Sequence, residues 1–354
     1  MGAHLMTDRG TSAVRVSALY VAHGHHSPHS GYPRFLDRLN HLAELRRPRP
    51  WPLPRQVLER ASDRIVYEWF GTPQLQVDLT AAQRLITSRD EVVHLLYGET
   101  DHFYAGRLPR MAARRGNRLV ATFHQPPAVI DELWPAPPLF EQLDHAIALG
   151  PSAALRLSAL MGAGRVSEAF LGVDTHAWRP APAARAAEPT CCFVGSWFRD
   201  LEVLRGVIAL VGEAEPRMRF EVVTSPGHAR ELRSLPRVRA RAGIAEPELR
   251  SVYQRSWVHV LPLSDSVANN ALLEGMACGV PTVVTDVGDA SAYTGAAALL
   301  APPGDAAAMA RAVLELIEDE PARDRLGLLA RARAEALDLD AAARRHAEIY
   351  RLQA

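Results

Sequence analysis

From Asn269 the chain reads Asn269-Asn270-Ala271-Leu272-Leu273-Glu274-Gly275-Met276-Ala277-Cys278-Gly279-Val280-Pro281, then Thr282-Val283-Val284-Thr285-Asp286. The pattern predicts a polar loop, a helix, a Gly-Val-Pro turn and a buried strand. A polar loop feeding a helix start presents free backbone N–H groups, here from Asn270, Ala271 and Leu272, and these suit an anion. Glu274 falls one turn into the helix, placed to reach past the anion. A buried carboxylate accepting two vicinal hydroxyls is a natural ribose grip. Asn269 and Asn270 either donate to sugar or phosphate, or cap the helix. Further chemistry sits at expected strand ends. Gly98-Glu99-Thr100-Asp101-His102 offers Glu99, Asp101 and His102 to acceptor hydroxyls, the alternatives being a general base or a solvated loop. His124 closes the run Leu119–Phe123, where a histidine meets a ligand or makes a structural hydrogen bond. His23-Gly24-His25-His26-Ser27-Pro28-His29 carries four histidines, with His25 taken as an acceptor-side residue. No second cluster has ligand spacing, so no metal is expected.

Such residues need a scaffold that gathers strand ends. Short β-branched runs alternate with helical patterns, which points to α/β architecture with parallel sheets. The expected strands are Val14–Ala22, Glu91–Leu96, Arg118–Phe123 and Ala146–Leu149, then Thr190–Val194, Arg219–Thr224, Arg237–Arg241, Val258–Leu261 and Thr282–Thr285. Ligands on such sheets bind just beyond the carboxyl ends of strands. Trp178–Pro189 is rich in proline and alanine, without periodicity, and reads as a linker. The expected domains are 11–177, a linker 178–189, a second α/β domain 190–336, and a last helix 337–354 packing back on the first domain. A cleft between the two lobes is a favoured ligand site. Met309, Val313, Leu316 and Ile317 share a helix face, Pro321 suits a helix first turn, and Asp340 is the expected cap of the last helix.

The 354 residues contain no lysine; all 40 Lys-or-Arg positions are arginine. That removes lysine Schiff-base chemistry and the P-loop lysine, while leaving bidentate arginine grip on phosphate. Base composition of the coding sequence accounts for the bias. A formal net charge of zero gives no global field for nucleic acid or an anionic membrane. The three cysteines Cys191, Cys192 and Cys278 form no disulfide framework, and the first two read as buried strand residues. No apolar run is long enough to span a bilayer, and Met1–Gly10 lacks an apolar h-region, so a cytoplasmic protein is expected.

Leu272 to Asp286 resembles the donor-site signature of GT-B glycosyltransferases, in particular the large retaining group called family 4. That pattern is Glu-x7-Glu on loop and helix, then Ala-Met-Ala-x-Gly-x-Pro-Val-Val-x-Ser/Thr. Gly172-Val173-Asp174 resembles the family's approach to its hinge, and Phe193-Val194-Gly195-Ser196 the strand and turn opening its second lobe. The likeness spans about residues 14 to 320 and is strongest in the second lobe. It implies a GT-B fold: two Rossmann-like domains around a cleft, with C-terminal helices. By the same resemblance Glu274 holds the nucleotide ribose, His124 lies beside the transferring sugar, Gly31 lets the first-lobe turn approach donor phosphate and acceptor, and main chain from Arg241 to Ile244 meets the base. Two departures stand out. Ser266 occupies the first glutamate position, with Asp265, Asn269 and Asn270 as substitutes. Ser196 stands where the family has its diphosphate arginine, so Arg199 takes that role, with Arg205 as the alternative.

The resemblance implies transfer of a sugar, with retention and without metal, from a nucleoside-diphosphate sugar to an acceptor hydroxyl on a small molecule or glycan. No cofactor and no nucleic-acid partner are expected. The rival readings are a nucleotide-sugar 2-epimerase and a non-catalytic sugar-nucleotide-binding protein, because fold alone does not decide function.

Overall fold

The computed structural model describes residues 13–21, 28–49, 52–62, 71–101, 115–133, 140 and 143–354. Two six-stranded sheets, each wholly parallel, organise it. The first contains β1 (Arg15–Leu19), β2 (Glu44–Arg46), β3 (Glu91–Leu95), β4 (Arg118–Phe123), β5 (His145–Ala148) and β6 (Val166–Glu168), in the order β2-β1-β3-β4-β5-β6. The second contains β7 (Thr190–Val194), β8 (Arg219–Val223), β9 (Val238–Arg241), β10 (Val258–Leu261), β11 (Thr282–Thr285) and β12 (Leu299–Ala301), in the order β12-β11-β10-β7-β8-β9. Every residue of β3, β5, β7, β10 and β11 is buried, Cys191 and Cys192 among them. Helices cover both faces of a parallel sheet, so its inner strands read as unbroken apolar runs.

Three strands escape the sequence pattern: β2, β6 and β12 have three residues each and lie at sheet edges with exposed positions. Strand ends also shift by one to three residues, the largest being at β1, expected over Val14–Ala22 and ending at Leu19. β9 starts at Val238 because Arg237 adopts a φ of 62°, outside the strand region. The last helix is capped by Asp338, whose carboxylate accepts the Ala341 N–H at 2.7 Å, and not by Asp340.

The helices that matter below are α1 (Leu36–Leu39), α2 (Pro151–Met161), α3 (Glu246–Arg255), α4 (Asn270–Ala277), α5 (Ala290–Thr294), α6 (Ala306–Glu318), α7 (Glu320–Ala336) and α8 (Leu339–Gln353). Carboxyl ends of the two sheets face each other. Asp289, just past β11, accepts both the backbone N–H and the hydroxyl of Ser152 at 2.9 and 2.8 Å, capping α2 of the other lobe. Gly150 permits this approach, since a Cβ there would lie 2.1 Å from the Asp289 carboxylate. Tyr293 of α5 donates to Leu149 O at 2.6 Å and accepts from Leu171 N–H at 2.9 Å. α8 returns to the first lobe and packs on α1 and on the 3-10 turn Tyr32–Phe35. One apolar cluster, including Val16, Leu96, Trp178, Leu272 and Ile349, runs through both lobes.

Candidate functional site

In the second sheet the strand order reverses between β7 and β10, and loops leaving such neighbours open a crevice. Gly195–Arg199 follows β7, and Pro262–Asn269 follows β10. An antiparallel bridge between Arg199 and Leu263 ties them, with Ser264 N–H donating to Phe198 O at 3.0 Å. Gly195 and Phe198 both hold positive φ, at 102° and 52°. Gly195 is required there, because Arg199 folds back across it: a Cβ would sit 2.3 Å from the guanidinium.

Arg199 spreads its planar fork over three acceptors. Nε donates to Val194 O at 3.0 Å, Nη1 to Trp197 O at 2.8 Å and Nη2 to Asn269 Oδ1 at 3.3 Å. Among the described residues no carboxylate lies in ion-pair range of it. Burial draws its pKa down to about 10, opposed by Tyr253 and Glu274. Here is a cation without an anionic partner, beside a helix start. Arg205 points elsewhere, paired with Glu231 and Glu202. Ser196 is exposed next to Gly195, and Ile244 is half-buried after β9.

Asn269 is the N-cap of α4: its Oδ1 accepts the Leu272 N–H at 3.2 Å. Asn270 and Ala271 begin the helix, and their N–H groups have no partner inside it. Glu274, 5% exposed, stands one turn in. One carboxylate oxygen accepts from Ser30 Oγ of the other lobe, and the second accepts from Tyr253 OH at 3.2 Å. Burial is the main reason its pKa rises to about 7. At the first glutamate position Ser266 is buried; its carbonyl accepts Asp289 N–H at 2.8 Å. Asp265 turns its carboxylate to the Ser266 N–H at 2.7 Å.

Across the cleft, Gly31 has a φ of 96° and precedes the turn that starts at Tyr32. His124 is half-buried at the end of β4. Its Nε2 donates to Leu96 O at 2.6 Å, its ring stacks on Tyr97 at 4.6 Å, and the Tyr32 ring meets it edge-on at 4.7 Å. Glu99, 2% exposed, accepts the backbone N–H of His124 and, at 2.8 Å, that of Gln125. Burial raises its pKa to about 7. The carboxylate thus grips the strand end that carries His124. Asp101 ends the helical turn Gly98–Asp101, while His25 and His102 lie outside the described residues. Among the described residues no three side chains gather as a metal site.

Beneath Tyr32 runs a hydrogen-bonded chain that sequence reasoning missed. His346 Nδ1 donates to Ala342 O at 2.7 Å, which leaves Nε2 to accept from Tyr32 OH at 2.5 Å. Tyr32 accepts from Thr122 Oγ1 at 2.8 Å, Thr122 from His94 Nε2 at 2.8 Å, and His94 Nδ1 from Tyr350 OH at 2.7 Å. Burial holds both imidazoles neutral, His346 at about 4 and His94 well below the usual range. Ser30 and Tyr253 were also missed; only the neighbouring Gly31 hinted at the former.

A family model described as "Glycosyl transferases group 1" matches residues 188–319. Among solved structures, sucrose-phosphate synthase from Thermosynechococcus elongatus is 19% identical with a TM-score of 0.69, covering 96% of this chain and 98% of that one. The alpha,alpha-trehalose 6-phosphate synthase from Burkholderia multivorans is 14% identical with a TM-score of 0.71, over 96% and 98% of the two chains. HepE from Anabaena, solved with UDP-glucose, is 14% identical with a TM-score of 0.67, over 94% and 98%. At these identities the likeness is one of fold, and the fold is GT-B. No curated protein matches the chain.

Proposed function

We propose that this chain transfers a sugar from a nucleoside-diphosphate sugar to an acceptor hydroxyl, with retention at the anomeric carbon and without a bound metal. One observation carries the proposal: a buried carboxylate, Glu274, and a guanidinium, Arg199, with no ion pair among the described residues, flank the start of α4 at the switch point of the sheet. That trio matches the parts of a nucleoside diphosphate. Glu274 accepts the ribose hydroxyls. Arg199 and the Asn270 and Ala271 N–H groups take the diphosphate. Leu272 closes the cap and Ser196 lines the β7 turn, while Ile244 and its neighbours meet the base.

The group 1 match over this lobe supports the class of reaction, and HepE with UDP-glucose supports the class of donor. In an oxocarbenium-like transition state the leaving diphosphate gains charge, and donors already aimed at it stabilise that charge without reorganisation. Three of the five Arg199 N–H groups are committed to the protein, which holds the fork still. His124, braced by Tyr97, Tyr32 and Glu99, faces the sugar from the first lobe and orients the acceptor. Arg199 supplies the charge a metal would bring, so chelation by EDTA leaves the rate unchanged. Three buried free cysteines and a chain with no helix long and apolar enough to cross a membrane, among the described residues, fit a cytoplasmic setting.

Ser266 in place of the first glutamate favours one rival, a protein that binds the sugar nucleotide without turning it over. Thermal shift with UDP, GDP, ADP and TDP, followed by donor turnover with and without sugar acceptors, separates the readings. Acceptor-dependent release of nucleotide is the expected result. Binding without any turnover refutes transfer, and so does conversion of donor to an isomer in the absence of acceptor.

A further inference from the structure

The carboxylate assigned to the ribose is already engaged. Ser30 Oγ, from the first lobe, donates to one oxygen of Glu274, and Tyr253 OH donates to the other at 3.2 Å. Two hydroxyls on the two oxygens of one carboxylate reproduce what a vicinal diol offers. They are unequal in how firmly they are held. Tyr253 is fully buried inside the second lobe, and its hydroxyl has Ala271 O as another acceptor at 3.3 Å. Ser30 is half-buried and comes from the opposite lobe, 244 residues away in sequence.

Its neighbours hold the loop down. His29 N–H donates to Glu246 Oε2 at 3.0 Å and its Nδ1 meets Oε1 at 2.7 Å, at the first residue of α3. Trp178 Nε1 donates to His29 O at 3.3 Å. The left-handed turn at Gly31 then returns the chain to Tyr32, anchored in the first lobe. A hydroxyl held by a clasp of this kind is a local competitor for the carboxylate.

We propose that Ser30 determines the donor affinity of this site: its hydroxyl occupies Glu274 in the donor-free protein, and the nucleotide ribose has to displace it. The inference rests on the donor-site reading above. Donor binding and the Ser30–Glu274 contact between lobes then compete, so nucleotide frees the Ser30 hydroxyl from the second lobe while His29 keeps its bonds.

The test is calorimetric titration of UDP, GDP and ADP into the full chain, as wild type, Ser30→Ala, Ser30→Thr, Glu274→Ala and the Ser30→Ala/Glu274→Ala double variant. Removing a competing hydrogen bond to a charged group tightens the nucleotide that binds by about tenfold. Ser30→Thr, which keeps the hydroxyl, stays near wild type. In the Glu274→Ala background Ser30→Ala has no effect, as expected when the two residues act through one contact. A 2′,3′-dideoxynucleoside diphosphate, lacking the diol, gains nothing. Wild-type binding with an unchanged or weaker constant in Ser30→Ala overturns the role of Ser30 and leaves the donor site standing. Absence of nucleotide binding in every variant refutes the donor site and this inference with it.

Discussion

Two carboxylates, one in each lobe, are lifted to about 7 by burial, yet their partners differ in kind. Glu99 accepts backbone N–H groups of its own lobe, which exist in every state of the protein. Glu274 accepts side-chain hydroxyls, which a ligand can replace. Under the proposed function the carboxylate with exchangeable partners, Glu274, binds ligand, and the one served by the backbone, Glu99, is a brace. Glu274→Ala is therefore expected to raise donor KM by about 10- to 100-fold, the worth of hydrogen bonds to a charged group. The unfolding midpoint should stay near wild type, because the lost carboxylate was itself costly to bury. Steady-state kinetics in donor concentration checks the first, and thermal unfolding the second. An unchanged KM would remove Glu274 from the donor site.

Helix α7 shows why an arginine-only set of cations serves this fold. Arg331 donates to Ala277 O at the end of α4, and to Thr175 O and Trp178 O in the approach to the second lobe. Arg333 donates to Ala292 O and Tyr293 O on α5, and Arg323 to Leu316 O and Ile317 O near the end of α6. One helix thus caps the carbonyl ends of three others, including the one that carries Glu274. A guanidinium fork reaches several carbonyls where an ammonium holds one direction at a time. Arg331→Ala should cost about 2 kcal/mol in urea unfolding, and Arg331→Lys should recover less than half of it. The hydrogen-bonded chain from Tyr350 to His346 ties α8 to β3, β4 and the turn at Tyr32. Tyr32→Phe leaves His346 Nε2 without its donor and the Thr122 hydroxyl, still held by His94, without its acceptor, at a cost of about 1–3 kcal/mol. Equilibrium unfolding of Tyr32→Phe measures that cost.

For the whole molecule, buried titratable groups set the pH dependence of stability. His94, His145, His259 and His346 all lie below the ordinary histidine value of 6.5, at about 4, 3 and 4 for the last three, mainly through burial. Each binds fewer protons folded than unfolded, so its stabilisation is complete above 6.5 and is lost as pH falls towards 4. Glu99 and Glu274, raised to about 7 from 4.5, act in the opposite sense. Their stabilisation is complete below 4.5 and is lost as pH rises through 7. Four histidines against two carboxylates make stability climb from pH 4 to about 6.5, then ease slightly up to about 7. Thermal midpoints across that range test it. A midpoint falling steadily from pH 4 upwards would contradict the neutral histidines.

Much of this protein is written locally. The strands Thr190–Val194, Val258–Leu261 and Thr282–Thr285 are legible because both faces are buried, and the helix from Asn270 is legible from its cap. The edge strands β2, β6 and β12 were not, since three residues with exposed positions carry no period. The sequence alone determined which residue types stand at the strand ends, and hence that a carboxylate and free backbone N–H groups share one helix start. Only the tertiary structure decided what those groups touch. Ser30 meets Glu274, Tyr32 meets His346 and Ser152 meets Asp289 across 244, 314 and 137 residues. Such pairings leave no periodic trace in a sequence, because they join elements that are far apart along the chain and meet only in the folded protein.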